Sequence, residues 1–257
     1  MDFSRAIVRK PGASFVHGIT TSGLGAPEFE KTLAQHTAYC QALEQCGLAL
    51  RWLEPDEAYP DGTFVEDTAV LTAECAVLTR PGAPSRQGEA GLMLPVLQEF
   101  YEQIYTITAP GSVEGGDICQ AGRRFLIGVS ERTNPEGARQ LTGFLARHGY
   151  TSSIIDCRQV PGLLHLKSGI AYLGEGRMAV IPALADHPEL ASYEKILVHN
   201  EEAYASNCVQ INDFVLTAAG FPRFQESLVR RGYRLLTLEV SEFQKMDGGL
   251  SCLSLRF

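Results

Sequence analysis

The chain has 257 residues, of which 45% are hydrophobic and 20% are charged, and its formal net charge at pH 7 is −8. This length can bury a real core in one large domain or in two small ones. The negative charge argues against nucleic acid and anionic membrane surfaces as partners, but it is compatible with a small cationic substrate. The sequence has neither an amino-terminal signal segment nor an apolar run of about 18 residues, so we expect a cytoplasmic protein.

The amino-terminal segment predicts a strand, a loop, a helix and a second strand. The first strand covers residues 5–9 and ends before Pro11 and Gly12. A polar, glycine-rich stretch over residues 16–25 follows, and we expect it to form a loop that can move over a site. Residues 27–45 have the apolar spacing of an amphipathic helix, and residues 48–53 have the pattern of a strand.

From residue 63 onward one order of predicted elements recurs, namely strand, strand, helix and strand. The repeats cover four stretches of the chain: 63–109, 113–157, 164–199 and 205–238. A fifth unit begins near Cys252, where apolar and polar residues alternate as they do in a strand. It is incomplete, and the amino-terminal strand, helix and strand would complete it.

The helices of the four repeats are predicted with different clarity. The helix over 134–149 is well defined, because Asn134 is suited to the N-cap and Pro135 to the first helical position. A helix is also expected over 222–231. The first repeat contains Pro95, which would start or kink its helix, and the third repeat has only a weak short helix after residue 186.

Each unit carries one polar residue near the start of its first strand: Glu66, Glu114, His165, Asn207 and Cys252. Successive members of this set are 42 to 51 residues apart, which indicates a repeat architecture. Joining the two chain ends in one module closes a ring of five ββαβ modules and leaves no sheet end unpaired. We therefore predict an α/β fold with 1–257 as a single domain, in which these five side chains meet at the central axis.

Seven cysteines are spread along the chain: Cys40, Cys46, Cys75, Cys119, Cys157, Cys208 and Cys252. Their odd number and wide spacing indicate neither a disulfide framework nor a structural zinc site. Most of them lie in apolar segments and are expected in the core. Cys252 differs because an acidic residue and two glycines, Asp247 to Gly249, come shortly before it.

Cys252 and His165 form the pair that nucleophilic catalysis requires, because a thiol is a weak nucleophile until a base takes its proton. Glu114 could orient His165 and keep it protonated. Taken singly, Cys252 and His165 would be interpreted as structural residues and Glu114 as part of a turn. Their occurrence at equivalent positions of the repeat favours a catalytic site.

Carboxylates near the same axis predict a cationic substrate. Asp61, Glu66 and Asp67 would suit a planar guanidinium group. A carboxylate on the same substrate would need basic partners, and three arginines in loops beyond the hairpins are candidates: Arg80, Arg86 and Arg132. Because acidic surroundings raise the pKa of a thiol, we expect the bound cation itself to supply the charge that ionises Cys252.

Four motifs carry most of these residues: Phe64-Val-Glu-Asp67, Glu114-Gly-Gly-Asp117, His165-Leu-Lys-Ser-Gly169 and Asp247-Gly-Gly-Leu-Ser-Cys252. Together they resemble the guanidine-modifying superfamily of amidinotransferases and deiminases, and most closely its dimethylarginine dimethylaminohydrolase family. The resemblance runs from Ile7 to Phe257 and implies the fold of that superfamily, a five-bladed α/β propeller called the pentein fold.

The resemblance also implies an activity and a role for each candidate residue. The activity is hydrolysis of Nω,Nω-dimethylarginine or Nω-monomethylarginine to citrulline and the methylamine, through a thiouronium intermediate on Cys252. His165 would protonate the departing amine and then activate water, and Glu114 would hold His165. The residues implied to contact the substrate are Ile19, Asp61, Glu66, Asp67, Arg86, Arg132 and Met246. Neither a cofactor nor a metal is implied, and Arg80 is left with a structural role.

Two other classes of function stay open at this point. One is a different hydrolase of the same fold, either a citrulline ureido-hydrolase or a single-domain arginine deiminase. The other is a non-enzymatic, ribosome-binding propeller, which the presence of the complete Cys-His-Glu set disfavours. Whether the protein is a monomer or a homodimer also stays open.

Overall fold

A computed structural model describes residues 2–257 of the chain. Within this range, fifteen short strands form five separate three-stranded sheets. The first sheet combines both ends of the chain, with the order β15 (Leu255–Arg256), β1 (Arg5–Arg9) and β2 (Ala49–Leu53). The other four sheets are β3 (Ala69–Leu71), β4 (Ala76–Leu78) and β5 (Ile104–Thr106); β6 (Ile118–Ala121), β7 (Arg124–Val129) and β8 (Thr151–Asp156); β9 (Ile170–Tyr172), β10 (Arg177–Val180) and β11 (Glu194–Leu197); and β12 (Val209–Ile211), β13 (Phe214–Ala218) and β14 (Arg234–Leu238).

All five sheets have the same pairing pattern. The middle strand pairs antiparallel with the inner strand and parallel with the outer strand, as β7 does with β6 and β8. Antiparallel neighbours can be joined by a tight turn, whereas the parallel partner requires a crossover, which explains the recurring strand, strand, helix and strand order. In the first sheet β1 pairs antiparallel with β15 and parallel with β2. The predicted closure of the ring by the two chain ends is therefore confirmed.

Each inner strand is preceded by a short 3₁₀ turn, and these turns form the innermost layer of the ring. The five turns are Val65–Thr68, Gly115–Asp117, Leu166–Ser168, Asn200–Ser206 and Leu250–Leu253. Consecutive turns contact one another from the first to the fourth, and the turn in the fifth module contacts the first. The inner strands likewise touch, with β15 against β3, β6 against β9 and β9 against β12.

The helices lie outside these inner strands. In the described range they are α1 (Phe29–Gln45), α2 (Glu89–Leu97), α3 (Pro135–Ala146), α4 (Pro222–Val229) and α5 (Ser241–Gln244). As predicted, α3 begins at Pro135 and is capped by Asn134, whose side chain accepts the Gly137 N–H at 2.8 Å. Among residues 2–257, no helix has both the length and the apolar character needed to cross a membrane.

Buried apolar side chains form clusters that lie between neighbouring modules. Val77 from one sheet and Ile127 from the next share one cluster with Leu141 of α3. The cluster that joins the two ends of the chain to the first repeat contains Ile7 and Leu255. Because each module covers the apolar face of its neighbour, the core is distributed around the ring instead of being concentrated in one place.

Two predicted elements are wrong in detail. In the third module the segment between β10 and β11, where a short helix was expected after residue 186, contains no α-helix but two 3₁₀ turns, Pro182–Leu184 and Pro188–Leu190, since each proline removes a donor that a continuous helix would need. The final strand is shorter than the alternation predicts. It covers only Leu255–Arg256, and Cys252 lies in the 3₁₀ turn that precedes it. Pro95 lies inside α2, which ends at Leu97.

Candidate active site

A cavity at the ring of 3₁₀ turns brings together most of the residues predicted from the sequence. Its lining includes nine of the ten candidates: Cys252, His165, Glu114, Ile19, Asp61, Asp67, Arg86, Arg132 and Met246. Phe64, the first residue of one quoted motif, and Leu164, which immediately precedes His165, form apolar parts of the wall. The tenth candidate, Glu66, lines a different cavity, which runs along the inner strands.

Cys252 is held at this cavity by a tightly packed turn. The glycines before it are required for close packing, because an added Cβ on Gly248 would come within 2.3 Å of the Phe64 ring and one on Gly249 within 2.6 Å of Asn207. The unusual backbone conformation lies one residue earlier, at Asp247, which has φ of 56°. Close packing, and not an unusual backbone dihedral angle, therefore requires glycine at positions 248 and 249.

The Cys252 thiol is almost completely buried, with 9% of the residue exposed. Burial raises its pKa to about 12, and the nearby carboxylates of Glu66 and Asp67 act in the same direction. The side chain is consequently a neutral thiol at neutral pH in this structure. A cation placed beside it would oppose both causes and lower the pKa.

His165 and Glu114 form a buried ion pair. The Nε2 atom of His165 lies 2.8 Å from Glu114 Oε2, and Glu114 is completely buried. The other carboxylate oxygen, Oε1, accepts the backbone N–H of Ala83 at 3.1 Å and lies 3.5 Å from Arg132 Nη1. Both oxygens of Glu114 are therefore engaged, and the imidazole ring is fixed against one of them.

The protonation of this pair follows from its surroundings. Burial lowers the pKa of His165, but the hydrogen bond to Glu114 and the charges of Asp117 and Asp67 outweigh it and raise the pKa to about 9. Burial raises the pKa of Glu114, whereas His165 and two arginines lower it to about 2. At neutral pH the pair is an imidazolium and a carboxylate, which makes His165 a proton donor.

Asp67 is next to this pair. One carboxylate oxygen of Asp67, one of Glu114 and a ring nitrogen of His165 all lie within 4.8 Å of one another. Such a set could hold a metal ion, but His165 is already bonded to Glu114, and Asp67 accepts from Arg86 Nη1 at 2.7 Å and from the Gly116 N–H at 2.9 Å. His165 is protonated at neutral pH and then has no ring lone pair for a metal, so these three residues form an ion-pair network and not a metal site.

The two arginines of the cavity differ in how far they are already engaged. Arg86 is buried and donates to Asp67, to both oxygens of Glu89 at 2.9 and 2.8 Å, and to the Phe64 carbonyl at 3.1 Å. Within the described residues, the Arg132 side chain forms one ion pair, in which Nη1 lies 3.5 Å from Glu114 Oε1. Arg132 thus has more donors available for a carboxylate on a ligand. Arg80 lies elsewhere and donates to the Gly111 carbonyl at 3.3 Å.

The predicted loop over residues 16–25 closes one side of the cavity. Both oxygens of Asp61 accept the backbone N–H of Ile19, at 3.1 and 3.2 Å, and the hydroxyl groups of Thr20 and Ser22 each donate to the Lys245 carbonyl at 2.7 Å. Burial raises the pKa of Asp61. These bonds hold the loop against Asp61 on one side and against the segment that precedes the Leu250–Leu253 turn on the other.

The structure does not bring the Glu66 side chain into the cavity, in contrast to the sequence prediction. Its carboxylate is held on the other side by Lys167, by Arg256 Nη2 at 3.0 Å and by the Ser251 hydroxyl at 2.8 Å. Successive side chains of a 3₁₀ turn, with three residues per turn, point about 120° apart, and here Asp67 faces the cavity while Glu66 points away from it.

The sequence interpretation left Asp117 without a role, although it closes one of the quoted motifs. Asp117 is completely buried, accepts the Leu166 N–H at 3.0 Å and the Ser130 hydroxyl at 2.7 Å, and helps to raise the pKa of His165. A carboxylate directly after two glycines was the available signal. Its effect on a histidine 48 positions along the chain could not be deduced from spacing alone.

Comparison with known proteins gives a consistent set of matches. A family model described as arginine deiminase matches residues 57–201. The N(G),N(G)-dimethylarginine dimethylaminohydrolase of Pseudomonas aeruginosa is 44% identical over 256 residues, which cover 99% of this chain and 100% of that protein. The protein of the same name from Streptomyces coelicolor is 30% identical and covers 100% of this chain and 98% of its own length.

Solved structures give the same picture. A cysteine-to-serine mutant of the Pseudomonas aeruginosa enzyme, complexed with citrulline, superposes with a TM-score of 0.97 and 43% identity, covering 100% of both chains. The amino-terminal domain of the cyanobacterial arginine dihydrolase ArgZ superposes with a TM-score of 0.87 at 21% identity, covering 100% of this chain and 97% of that domain. At this lower identity the second match shows a shared fold. The predicted five-module propeller is thereby confirmed.

Proposed function

The chain belongs to the dimethylarginine dimethylaminohydrolase family, and we propose that it hydrolyses Nω,Nω-dimethyl-L-arginine to L-citrulline and dimethylamine with Cys252 as the nucleophile. Nω-monomethylarginine would be hydrolysed in the same way, with methylamine as the second product. The observation that carries the proposal is the convergence of Cys252 with the His165–Glu114 ion pair in one cavity. This combination supplies a nucleophile, a proton donor and a group that holds the donor.

Recognition of the substrate is proposed to rest on charge at both of its ends. Asp67 would accept from the guanidinium group, since each of its oxygens has a lone pair beyond the hydrogen bond already made. Arg132, supported by the positive charge of Arg86, would bind the α-carboxylate, and Asp61 would bind the α-amino group. The backbone carbonyls of Ile19 and Met246 would accept from the remaining N–H groups.

Binding of the cation also prepares the nucleophile. Burial and nearby carboxylates raise the pKa of the Cys252 thiol to about 12, so attack at neutral pH requires an added positive charge. The substrate's guanidinium would supply that charge when it lies against the sulfur. We therefore propose that Cys252 becomes a thiolate in the complex and not before it.

Two half-reactions then follow. The thiolate forms a bond to the guanidinium carbon, and the bond from that carbon to the dimethylamino nitrogen breaks as His165 donates its proton to the leaving amine. The product of this step is a thiouronium on Cys252. Neutral His165 next takes a proton from water, which attacks the same carbon, and cleavage of the carbon–sulfur bond releases citrulline.

The proposal is tested by incubating the protein separately with dimethylarginine, arginine and citrulline and identifying the products. Citrulline with dimethylamine is expected from the first substrate. Conversion of arginine alone, or of citrulline to ornithine, would show a different hydrolase of this fold. Cys252→Ser should abolish turnover, whereas Cys208→Ser, a buried cysteine outside the cavity, should retain it.

We further propose that residues 1–257 act as one cytoplasmic domain whose ligand is a small methylated arginine, without nucleic-acid or membrane partners. The net charge of −8 supports this choice of ligand, because it favours cations over polyanions. Size-exclusion chromatography with light scattering will distinguish a monomer from a homodimer.

A further inference from the structure

The fourth module also contributes a polar residue, Asn207, to the inner ring. Asn207 directly follows the 3₁₀ turn Asn200–Ser206 and is 8% exposed. It is the repeat-equivalent of Glu114, His165 and Cys252 but does not line the catalytic cavity. Its side chain lies behind that cavity, between the turns of the third and fifth modules.

The Asn207 amide connects the turn that carries the proton donor with the turn that carries the nucleophile. Its Nδ2 donates to the backbone carbonyl of Lys167 at 3.2 Å, two residues after His165. Its Oδ1 accepts the backbone N–H of Ser251 at 2.9 Å, one residue before Cys252. One buried side chain therefore spans the two halves of the catalytic pair.

The orientation of this amide is fixed by further contacts. Nδ2 also donates to the Ser251 hydroxyl at 3.2 Å, and that hydroxyl donates onward to Glu66 Oε2 at 2.8 Å. Glu66 is in turn held by Arg256 and Lys167. The amide also packs closely on Gly249, where an added Cβ would lie 2.6 Å from Asn207 Cγ. A flipped amide would place Oδ1 against the Lys167 carbonyl and Nδ2 against the Ser251 N–H, and both contacts would be repulsive.

We propose that Asn207 is a positioning residue that sets the placement of Cys252 relative to His165, an inference that rests on the proposed function of this pair. Glu66 belongs to the same network, so it would act through Ser251 and not by contact with the substrate. Because a displacement of about 1 Å between reacting groups costs about a hundredfold in rate, loss of this connection acts on kcat. The substrate-binding side chains Asp61, Asp67 and Arg132 make no hydrogen bond with Asn207 in the described residues, so KM is largely preserved.

The test is Asn207→Ala, with Asn134→Ala as the matched control. Asn134 is also a bridging asparagine with three hydrogen bonds, to Pro110, Ser112 and Gly137, but it caps α3 outside the cavity. We expect Asn207→Ala to lower kcat by about ten- to a hundredfold with KM changed by less than about threefold. Asn134→Ala should lower the thermal midpoint while kcat stays within about twofold of wild type.

A second readout does not depend on turnover. The rate at which iodoacetamide alkylates Cys252, followed by mass spectrometry of the carboxy-terminal peptide, should rise at least about threefold in Asn207→Ala because the nucleophile turn is released. Asn134→Ala should leave that rate unchanged. If Asn207→Ala does not fold, Asn207→Asp, which keeps the acceptor for Ser251 but loses both Nδ2 donations, is measured against the same thresholds.

The outcomes separate this inference from the proposed function. An inactive wild-type protein refutes the proposed function, and the alkylation rates then decide the role of Asn207. If Asn207→Ala keeps its kcat and its alkylation rate within about twofold of wild type, or changes them only as much as Asn134→Ala does, the positioning role is refuted.

Discussion

His165 keeps its proton although it is buried, because carboxylates surround it. Burial alone would favour the neutral ring, and the bonded Glu114 with the charges of Asp117 and Asp67 reverses that preference, so the pKa rises to about 9. The cavity thus contains a neutral thiol, that of Cys252, beside the charged imidazolium of His165. That order of protonation suits a reaction in which the substrate arrives as a cation and leaves as a neutral product with an amine.

Replacement of Glu114 by glutamine should shift the alkaline limit of activity to lower pH. The first step requires protonated His165, so wild-type activity should fall as the pH rises through about 9. Without the carboxylate, the hydrogen bond that raises the pKa of His165 most is lost while burial still lowers it, so the pKa falls and the variant loses its donor at a lower pH. The measurement is the pH dependence of kcat/KM for both proteins, and an unchanged alkaline limb would contradict the assigned pairing.

The two arginines of the cavity should respond differently to substitution by alanine. Arg86→Ala leaves Asp67 and Glu89 buried without their shared cation, so we expect the free energy of unfolding to fall by about 3–5 kcal/mol. Arg132→Ala removes a single 3.5 Å contact and should cost less than about 1 kcal/mol, but it should raise KM at least about tenfold. Urea unfolding and steady-state kinetics measure both effects, and equal losses of stability would contradict this distinction.

At the scale of secondary-structure elements, the 3₁₀ turns explain what the sequence could and could not predict. Their period in the chain is visible because one polar residue recurs in each module, and this was enough to predict that Glu114, His165 and Cys252 converge. A turn of three or four residues has no hydrophobic period of its own, so the side of the ring to which Glu66 points could not be predicted. The missing helix of the third module was predictable in hindsight from Pro182 and Pro188.

The packing of the nucleophile turn gives an element-scale prediction. Gly248→Ala places a methyl group 2.3 Å from the Phe64 ring, so we expect a stability loss of about 1–3 kcal/mol and a lowered kcat as the turn moves. Gly143→Ala in α3 is the matched control, because its Cβ would meet nothing within 4 Å and alanine favours a helix. Thermal unfolding and turnover are compared for the two variants, and a fully active, equally stable Gly248→Ala protein would refute the packing argument.

At the scale of the whole molecule, the sequence predicted the ring for two reasons. The order of elements repeats, and neither the amino-terminal nor the carboxy-terminal segment contains a complete module by itself. The distribution of the core could not be predicted in the same way. Apolar residues such as Val77 and Ile127 have the pattern of buried strands, but the pattern does not say which neighbouring module covers them. That information depends on the closed geometry, in which each sheet meets the next.

The closed ring has a consequence for the order in which its parts must be connected. Both ends of the chain lie in one sheet, where the Phe257 carbonyl accepts the N–H groups of Ser4 and Arg5 at 2.9 and 2.8 Å. A circular permutant that links these ends and opens the exposed hairpin tip at Glu175 should therefore fold and turn over substrate within about tenfold of the natural chain. Circular dichroism and kinetics measure this, and an unfolded permutant would show that the present chain order is needed. In such a molecule Cys252 would lie well away from both ends of the polypeptide, so the geometry of the site would not depend on a nearby chain end.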